Sequence, residues 1–272
     1  MLKTKTMLKK LKKLDSILLD MNSFVVAFSG GVDSTFLVHR ASQVKKVRFS
    51  AVTITTPYIP ATEILEASEF CQKAGIEHKI IEVAFPESIR NNPVDRCYLC
   101  KKELFTHVNK YASGNKFKYV IDGTNGDDAT DFRPGIKALK EMSVRSPLQE
   151  VGLTKQEIRD ASSEAGLATW AKPSNACLLT RIPYNTMVTE KDLRKIEKAE
   201  QYLFEKGFYG ARVRIHGDIA RIECMPGYLS RLVNDPEREH LIDNLKKIGF
   251  RFISLDLEGY RTGSMNPDTG LE

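Results

Sequence analysis

Apolar residues in the first part of the chain form short continuous runs that alternate with helical patterns. The first run covers residues 24–28 and is followed by a polar, glycine-containing segment and then by apolar residues at helical spacing. Runs of the same kind cover residues 47–54, 79–83 and 118–121. Strands that are apolar at every position are typical of parallel sheets covered on both faces. The pattern therefore predicts an α/β fold in which a parallel sheet carries helices on both faces.

Local signals predict the limits of two helices. Thr154 and Glu157 have the spacing of a capping box, and Gly166 lies where the helix that they begin should end. Cys71 lies on the apolar stripe of an earlier helix, which Gly75 is expected to end. We therefore interpret Cys71 as a buried structural thiol.

The pattern changes between residues 170 and 189, where Pro173 and Pro183 flank Cys177. Beyond this point the sequence predicts a charged helix over residues 189–206, strands near 211–215 and 219–223, a helix through Leu245 and a strand at 250–257. We therefore predict a larger domain of residues 1–185 and a smaller α+β domain of residues 186–272.

The composition argues against membrane and secreted classes of protein. No apolar run in the 272 residues approaches the roughly 18 residues that a membrane helix needs. The lysine-rich start lacks a secretory signal, and an odd number of cysteines, five, favours reduced thiols over a disulfide framework. We therefore expect a cytoplasmic protein. Its net charge of +6 favours anionic ligands, and nucleotides satisfy that preference as well as nucleic acids do.

The segment between the first predicted strand and helix has the composition of a phosphate-binding loop. It contains Ser29, Gly30, Gly31, Asp33 and Ser34. Two glycines allow backbone N–H groups to close around phosphate oxygens, the helix start adds a positive dipole end, and the serines add hydroxyl donors. The loop lacks the lysine and spacing of a Walker loop. We predict that it binds the phosphates of a nucleotide.

A second loop with acidic residues follows the strand predicted at residues 118–121. It has the sequence Asp-Gly-Thr-Asn-Gly-Asp-Asp and includes Gly123, Asp127 and Asp128. Open α/β sheets bind ligands at this end of their strands, and carboxylate oxygens suit Mg²⁺. An ordinary turn rich in Asp and Gly is the alternative to this magnesium role. Arg133 follows, and an arginine beside the phosphate site would be a charge clamp.

The cysteines allow several kinds of site. Cys97 and Cys100 form a Cys-x-x-Cys pair, which is compatible with a zinc knuckle, a redox dithiol or an iron–sulfur site. Cys177 can supply the third thiolate of an iron–sulfur site. It lies close in sequence to Lys172 and Arg181, whose positive charges would favour its thiolate form.

Residues 29–34 resemble the signature of the PP-loop ATP pyrophosphatases, whose domain is similar to the adenine nucleotide alpha hydrolases. The second loop, residues 122–128, is similar to another nucleotide-facing loop of that family. The resemblance implies that ATP and Mg²⁺ bind here and that a substrate oxygen attacks the α phosphate. An adenylylated intermediate and pyrophosphate would result.

A narrower resemblance involves the cysteine segments. Residues 170–184, 145–148 and 259–266 resemble the LarE family of sulfur transferases in nickel-pincer nucleotide cofactor synthesis, and the likeness runs from about residue 24 to 266. It implies that a carboxylate of pyridinium-3,5-biscarboxylic acid mononucleotide is adenylylated and that Cys177 then attacks it and surrenders sulfur. Cys97 and Cys100 resemble the three-cysteine branch, in which the thiolates hold a 4Fe–4S cluster and sulfur is renewable.

The same resemblance implies roles for charged residues of the smaller domain. Arg212 and Arg214 alternate on one face of a predicted strand and, with Arg181, would bind the substrate. Glu200 and Glu223 would be metal ligands, although a solvated face explains these two glutamates almost as well.

The expected partners are a small-molecule nucleotide, sulfide or another sulfur donor, and further copies of the chain in a homo-oligomer, without a membrane or nucleic acid. Two alternatives stay open: an iron–sulfur-dependent tRNA thiolase, and a sacrificial Cys177 without a cluster. Asn185 departs from the family pattern, in which Gly is expected. Asn tolerates positive φ better than most residues, so we expect the turn to persist.

Overall fold

The computed structural model of the chain contains two compact units. It describes residues 5–129, 134–173, 176–234, 236, 238–261 and 264–265. The first unit consists of Met1–Pro86 and Asp95–Asn175, and the second consists of Glu87–Val94 and Ala176–Glu272. The functional division predicted at residue 185 stays a prediction. No helix in the described ranges is long and apolar enough to cross a membrane.

The first unit is an α/β fold, which confirms the predicted class. Its described sheet has the strand order β3-β2-β1-β4, and all neighbouring strands are parallel. The elements are α1 (Lys5–Met21), β1 (Ser23–Ala27), α2 (Val32–Gln43), β2 (Arg48–Thr55), α3 (Ala61–Ala74), β3 (His78–Glu82), α4 (Arg96–Gly114), β4 (Tyr119–Ile121), α5 (Pro134–Glu141), α6 (Pro147–Glu150) and α7 (Lys155–Glu164).

Helices cover both faces of this sheet, as the continuous apolar runs predict. Phe24 and Val26 of β1 lie in a core that includes buried side chains of α1, α2, α3 and α7. Val25 lies in a second core with Val108 of α4 and Leu139 of α5. Because successive side chains of a strand point to opposite faces, a central strand must be apolar throughout to serve both cores.

The capping box at the start of α7 forms as predicted and fixes the position of that helix. The Thr154 hydroxyl accepts a hydrogen bond from the Glu157 N–H group at 3.2 Å, and the Glu157 carboxylate accepts one from the Thr154 N–H group at 2.9 Å. Lys10 of α1 also binds Glu157, at 2.7 Å. Gly166 follows the helix with a positive φ of 70°. The first residue of α7, Lys155, is therefore held in a defined place.

The second unit contains a small mixed sheet. Its elements are α8 (Glu190–Glu205), β5 (Arg212–His216), β6 (Ile219–Glu223), α9 (Pro226–Asn234), α10 (Arg238–Ile248) and β7 (Phe252–Leu255). The described strands have the order β5-β6-β7, in which β5 and β6 are antiparallel and β6 and β7 are parallel. Val213 and Ile215 alternate along β5 with Arg212 and Arg214, so apolar and basic side chains occupy opposite faces.

Candidate functional site

The loop between β1 and α2 is held together by its own serines. The Ser34 hydroxyl donates a hydrogen bond to the Gly31 carbonyl group at 3.2 Å and lies 3.1 Å from the Ser29 hydroxyl. Gly31 is the N-cap residue of α2, and no side chain caps the helix there. The first N–H groups of α2 are consequently available to an anion, with the positive end of the helix dipole behind them.

The loop after β4 packs closely against this first loop. A Cβ atom at Gly123 would lie 2.8 Å from the Ser34 backbone nitrogen, so glycine is the residue that this approach permits. Gly30 has a positive φ of 70°, and a Cβ atom there would lie 3.3 Å from Ala67 of α3. Gly123 thus lets the two loops approach each other at the edge where the parallel strands end, which we call the carboxyl edge, and Gly30 lets the first loop approach α3.

Lys155 joins the two loops, although the sequence did not mark it as a site residue. Its ammonium group lies 2.5 Å from Asp33 Oδ2, and its backbone N–H group donates to Asp127 Oδ2 at 2.7 Å. The sequence signal that could have identified Lys155 is its position as the first residue of α7, directly after the N-cap residue Thr154. Burial raises the pKa of Asp33, and Lys155 opposes that shift.

The carboxylates of the two loops differ in their hydrogen bonds. Asp33 Oδ1 is buried and accepts no hydrogen bond from a described residue. Asp128 Oδ2 accepts a hydrogen bond from the Asn125 N–H group at 3.1 Å. The unpaired oxygen of Asp33 fits a hard cation such as Mg²⁺, whereas the predicted role of Asp127 and Asp128 as magnesium ligands stays a prediction. Arg133 lies outside the described residues.

Cys97 and Cys100 lie one helical turn apart at the start of α4. Cys97 is exposed, and the sulfur of half-buried Cys100 lies 3.2 Å from the Tyr58 hydroxyl. Tyr58 follows the carboxyl end of β2, and Lys101 reaches to 4.0 Å from Asp122, which follows β4. Both contacts place the cysteine pair at the carboxyl edge of the first unit. Tyr58 and Lys101 were missed because no local motif marks them.

Cys177 belongs to the second unit, where Arg181 holds its loop. Arg181 donates to both carboxylate oxygens of Glu200, at 2.9 and 3.0 Å, and to the backbone carbonyl groups of Ala176 and Cys177, at 2.8 and 3.3 Å. Only 2% of Arg181 is exposed. Burial opposes its charged form, but Glu200 outweighs that effect and raises the pKa of Arg181. Lys172 lies in the first unit and binds Glu66, and its predicted effect on the Cys177 thiolate stays a prediction.

The basic face of β5 and β6 is a buried ionic network. Arg214 donates to Glu223 at 2.7 Å and to the Thr180 carbonyl group at 2.7 Å. Arg221 binds the other Glu223 oxygen at 3.1 Å. Arg212 lies with its guanidinium group 5.7 Å from the centre of the Tyr260 ring, and burial lowers its pKa. Sequence reasoning did not identify Arg221, which lies opposite Arg214 in the register.

The structure therefore groups five of the predicted site residues within the second unit: Arg181, Arg212, Arg214, Glu200 and Glu223. Glu200 and Glu223 pair with arginines there, and their predicted role as metal ligands stays a prediction. Among the residues that the structure describes, no three His, Cys, Asp or Glu side chains are grouped as metal ligands. The substrate-binding role of the arginines likewise stays a prediction.

Two smaller expectations are confirmed. Asn185 has a positive φ of 55°, so the turn forms without the glycine that is expected there. Cys71 is fully buried, and burial raises its pKa to about 12. At neutral pH this thiol stays protonated, in agreement with a structural role.

Comparison with known proteins gives relatives along the whole chain. No protein-family model matches. The chain is 33% identical over 264 residues to pyridinium-3,5-bisthiocarboxylic acid mononucleotide synthase of Lactiplantibacillus plantarum, and this alignment covers 96% of the chain and 95% of that protein. It is 38% identical over 260 residues to an uncharacterized protein of Synechocystis sp., with coverage of 94% and 97%. It is also 28% identical over 166 residues to a component of the glutamine-hydrolyzing GMP synthase of Thermoplasma acidophilum, covering 55% of the chain and 53% of that protein.

The Arg181–Glu200 pair predicts a large loss of stability when only the arginine is removed. Arg181→Met should lower the free energy of unfolding by about 3–5 kcal/mol, because it leaves the partly buried Glu200 carboxylate without its bidentate partner. Chemical denaturation followed by circular dichroism measures the loss.

The matched control is Arg194→Met, which breaks an ion pair between Arg194 and Glu190 on the exposed side of α8. It should cost less than about 1 kcal/mol, since solvent screens such pairs. Equal losses in the two variants would contradict the structural role assigned to Arg181.

Proposed function

The chain belongs to the family of the pyridinium-3,5-bisthiocarboxylic acid mononucleotide synthases, the LarE family, and on this premise we propose that it is an ATP-dependent sulfur transferase. Its proposed substrate is pyridinium-3,5-biscarboxylic acid mononucleotide, in which a carboxylate becomes a thiocarboxylate. The synthase activity of the Lactiplantibacillus relative favours this mononucleotide over tRNA as the substrate. We place the reaction in the cytoplasm, where ATP and reduced thiols are available. The assembly of the chain into a homo-oligomer stays a prediction.

The observation that carries the proposal is the pair of loops joined by Lys155. The uncapped start of α2 offers N–H groups to phosphate, Lys155 adds a positive charge, and Asp33 leaves one buried carboxylate oxygen for Mg²⁺. In the proposed first step, a substrate carboxylate oxygen attacks the α phosphorus of ATP. The bond to the bridging oxygen breaks, so that an acyl adenylate forms and pyrophosphate leaves.

The basic face of the second unit supports recognition of the substrate phosphate. Arg212 and Arg214 present planar guanidinium groups from one face of β5, and such groups bind phosphate through charge-assisted hydrogen bonds. Arg181 orders the loop that carries Cys177. We propose that these arginines hold the mononucleotide, with Glu200 and Glu223 keeping the guanidinium groups in place.

Sulfur delivery has two candidate chemistries. Thiolates are the usual ligands of iron–sulfur clusters, so the donor type of Cys97, Cys100 and Cys177 fits a 4Fe–4S group, which would supply an exchangeable sulfide. In the alternative, the Cys177 thiolate attacks the acyl adenylate, AMP leaves, and the Cβ–S bond then breaks by elimination. That path leaves dehydroalanine at Cys177 and serves one turnover. We propose the cluster form because the chain places two further thiols together on α4.

Removing the Asp33 carboxylate should stop the adenylylation of the substrate, the step that precedes sulfur transfer. Asp33→Asn keeps the shape of the side chain but loses the charge that holds Lys155, so substrate-dependent pyrophosphate release should fall at least about a hundredfold. Because burial raises the pKa of Asp33, the neutral variant should unfold at a temperature no lower than the wild-type protein does.

Asp15→Asn is the matched control, since Asp15 pairs with Arg40 on the surface of the same unit. Its pyrophosphate release should stay within about twofold of the wild-type rate. Retained release by Asp33→Asn would remove the two loops from the ATP site.

The iron content of the protein and the effect of replacing each cysteine separate the two proposed sulfur chemistries. If the cluster form holds, the anaerobically purified protein should contain about four irons per chain. Cys97→Ala, Cys100→Ala and Cys177→Ala should then each lose iron and thiolation together. Cys71→Ala should retain both, because that thiol is buried and protonated. Iron analysis and an assay of thiolated nucleotide measure the outcome.

If Cys177 is sacrificial, the three variants should differ. Cys177→Ala alone should abolish transfer, and mass spectrometry should find dehydroalanine at Cys177 after a single turnover. An intact Cys177 after several turnovers supports the cluster form. Dehydroalanine at that position in an iron-free active protein would overturn it.

A further inference from the structure

A side-chain hydrogen bond holds the chain at the point where β1 ends. The paired residues of β1 and β2 end with Ala27 opposite Val52. Phe28 is the next residue, and its backbone carbonyl group accepts a hydrogen bond from the hydroxyl group of Thr53 in β2, at 2.7 Å. Thr53 is buried. A side chain of the neighbouring strand therefore holds the carbonyl group directly before Ser29, the first residue of the predicted phosphate-binding loop.

The peptide bond between Phe28 and Ser29 is held on both sides. Its carbonyl group binds Thr53, and its N–H group donates to the Ser34 hydroxyl group at 3.3 Å. Because the C=O and N–H groups of a trans peptide point in opposite directions, the two hydrogen bonds together fix the rotation of the peptide plane. The direction in which the chain enters the loop thus depends on β2 as well as on the loop's own serines.

His78 of β3 completes this arrangement. Its Nε2 atom lies 2.8 Å from the Thr53 hydroxyl oxygen. A hydroxyl group has one hydrogen, and that hydrogen is donated to the Phe28 carbonyl group, so His78 must donate to the threonine. Burial lowers the pKa of His78, and the neutral ring consequently carries its hydrogen on Nε2. The ring also packs edge-on against the Phe28 ring, with ring centres 6.0 Å apart.

The series of hydrogen bonds runs across neighbouring strands, from β3 through β2 to the end of β1. We propose that Thr53 and His78 are positioning residues of the ATP site: Thr53 holds the first peptide of the loop between β1 and α2, and His78 orients the Thr53 hydroxyl group. Groups that bind phosphate oxygens do so only when the backbone holds them in place. This role in ATP binding rests on the proposed function.

The test is the affinity of the full chain for α,β-methylene ATP with Mg²⁺, measured by isothermal titration calorimetry. The methylene group replaces the bridging oxygen whose bond would break, so binding is measured without turnover. Thr53→Val keeps the shape of the side chain and removes the hydroxyl group. It should bind the analogue about tenfold more weakly, because the Phe28 carbonyl group loses its partner.

The conservative variant and the second ligand separate positioning from a general loss of structure. Thr53→Ser keeps the hydroxyl group and should bind the ATP analogue within about threefold of wild type. Binding of pyridinium-3,5-biscarboxylic acid mononucleotide should change by less than about twofold in both variants. Equal losses of ATP-analogue affinity in Thr53→Val and Thr53→Ser, or an unchanged affinity in Thr53→Val, would overturn the proposal.

Ser50→Ala is the matched control. Ser50 lies on the same strand as Thr53 and is fully buried, and its hydroxyl group donates to the Glu77 carbonyl group at 3.4 Å. Removing this hydroxyl group should lower the midpoint of urea unfolding about as much as Thr53→Val does and leave the affinity for the ATP analogue unchanged. A loss of affinity as large as that of Thr53→Val would contradict a specific role of Thr53.

His78→Phe tests whether the histidine acts through Thr53. It removes the donor but retains an aromatic ring beside Phe28, and it should weaken binding of the analogue about threefold. The double variant with Thr53→Val should bind no more weakly than Thr53→Val alone, since no hydroxyl group is left to orient. Additive losses would overturn the role of His78. If Thr53→Val does not fold, an unchanged affinity in His78→Phe overturns the proposal.

The outcome for the wild-type protein distinguishes this proposal from the proposed function. Normal binding of the ATP analogue by both wild type and Thr53→Val would remove Thr53 and His78 from the ATP site and leave the proposed function in place. Failure of the wild-type protein to bind the analogue would overturn both.

Discussion

The ion pair between Asp33 and Lys155 connects the two loops on which the candidate nucleotide site depends. The two residues are 122 positions apart in the chain, and their charged groups lie 2.5 Å apart. Asp33 lies in the first turn of α2, which follows β1, and the capping box of α7 fixes the position of Lys155. The Lys155 N–H group also binds Asp127, so one residue fixes both loops. Because burial disfavours the ionised Asp33, this lysine is what keeps the charged carboxylate in place.

A second constraint governs the smaller unit, where charges rather than apolar side chains define one face of the sheet. Glu223 is completely buried and is held by Arg214 and Arg221, and Glu200 is held by Arg181. Buried charges are costly when a partner is lost, so the network permits few alternative arrangements. It also fixes the carbonyl groups around Cys177. Order in the cysteine loop therefore follows from the ionic network of the sheet.

The sequence predicted most of the fold, but few of the contacts in the candidate site. Apolar runs identified the strands because a central strand such as β1 must serve cores on both faces. Gly123 was predicted as a site residue from the composition of its loop. The reason that glycine is needed there, the close approach of the loop to Ser34, depends on strand order. Lys155 contacts Asp33 and Tyr58 contacts Cys100, and no local pattern reveals a contact between residues so far apart in the chain. The same holds for Arg221, whose role follows from the register of β5 and β6.

The central claim is that the protein exchanges a carboxylate oxygen of the mononucleotide for sulfur at the expense of ATP. Its most direct test incubates anaerobically purified protein with Mg²⁺, ATP, sulfide and pyridinium-3,5-biscarboxylic acid mononucleotide, and follows the mass of the nucleotide together with AMP and pyrophosphate. The account predicts a mass gain equal to the difference between sulfur and oxygen for each group converted, with one AMP and one pyrophosphate per sulfur. A mass gain that does not require ATP, or pyrophosphate release without any thiolated nucleotide, would contradict it.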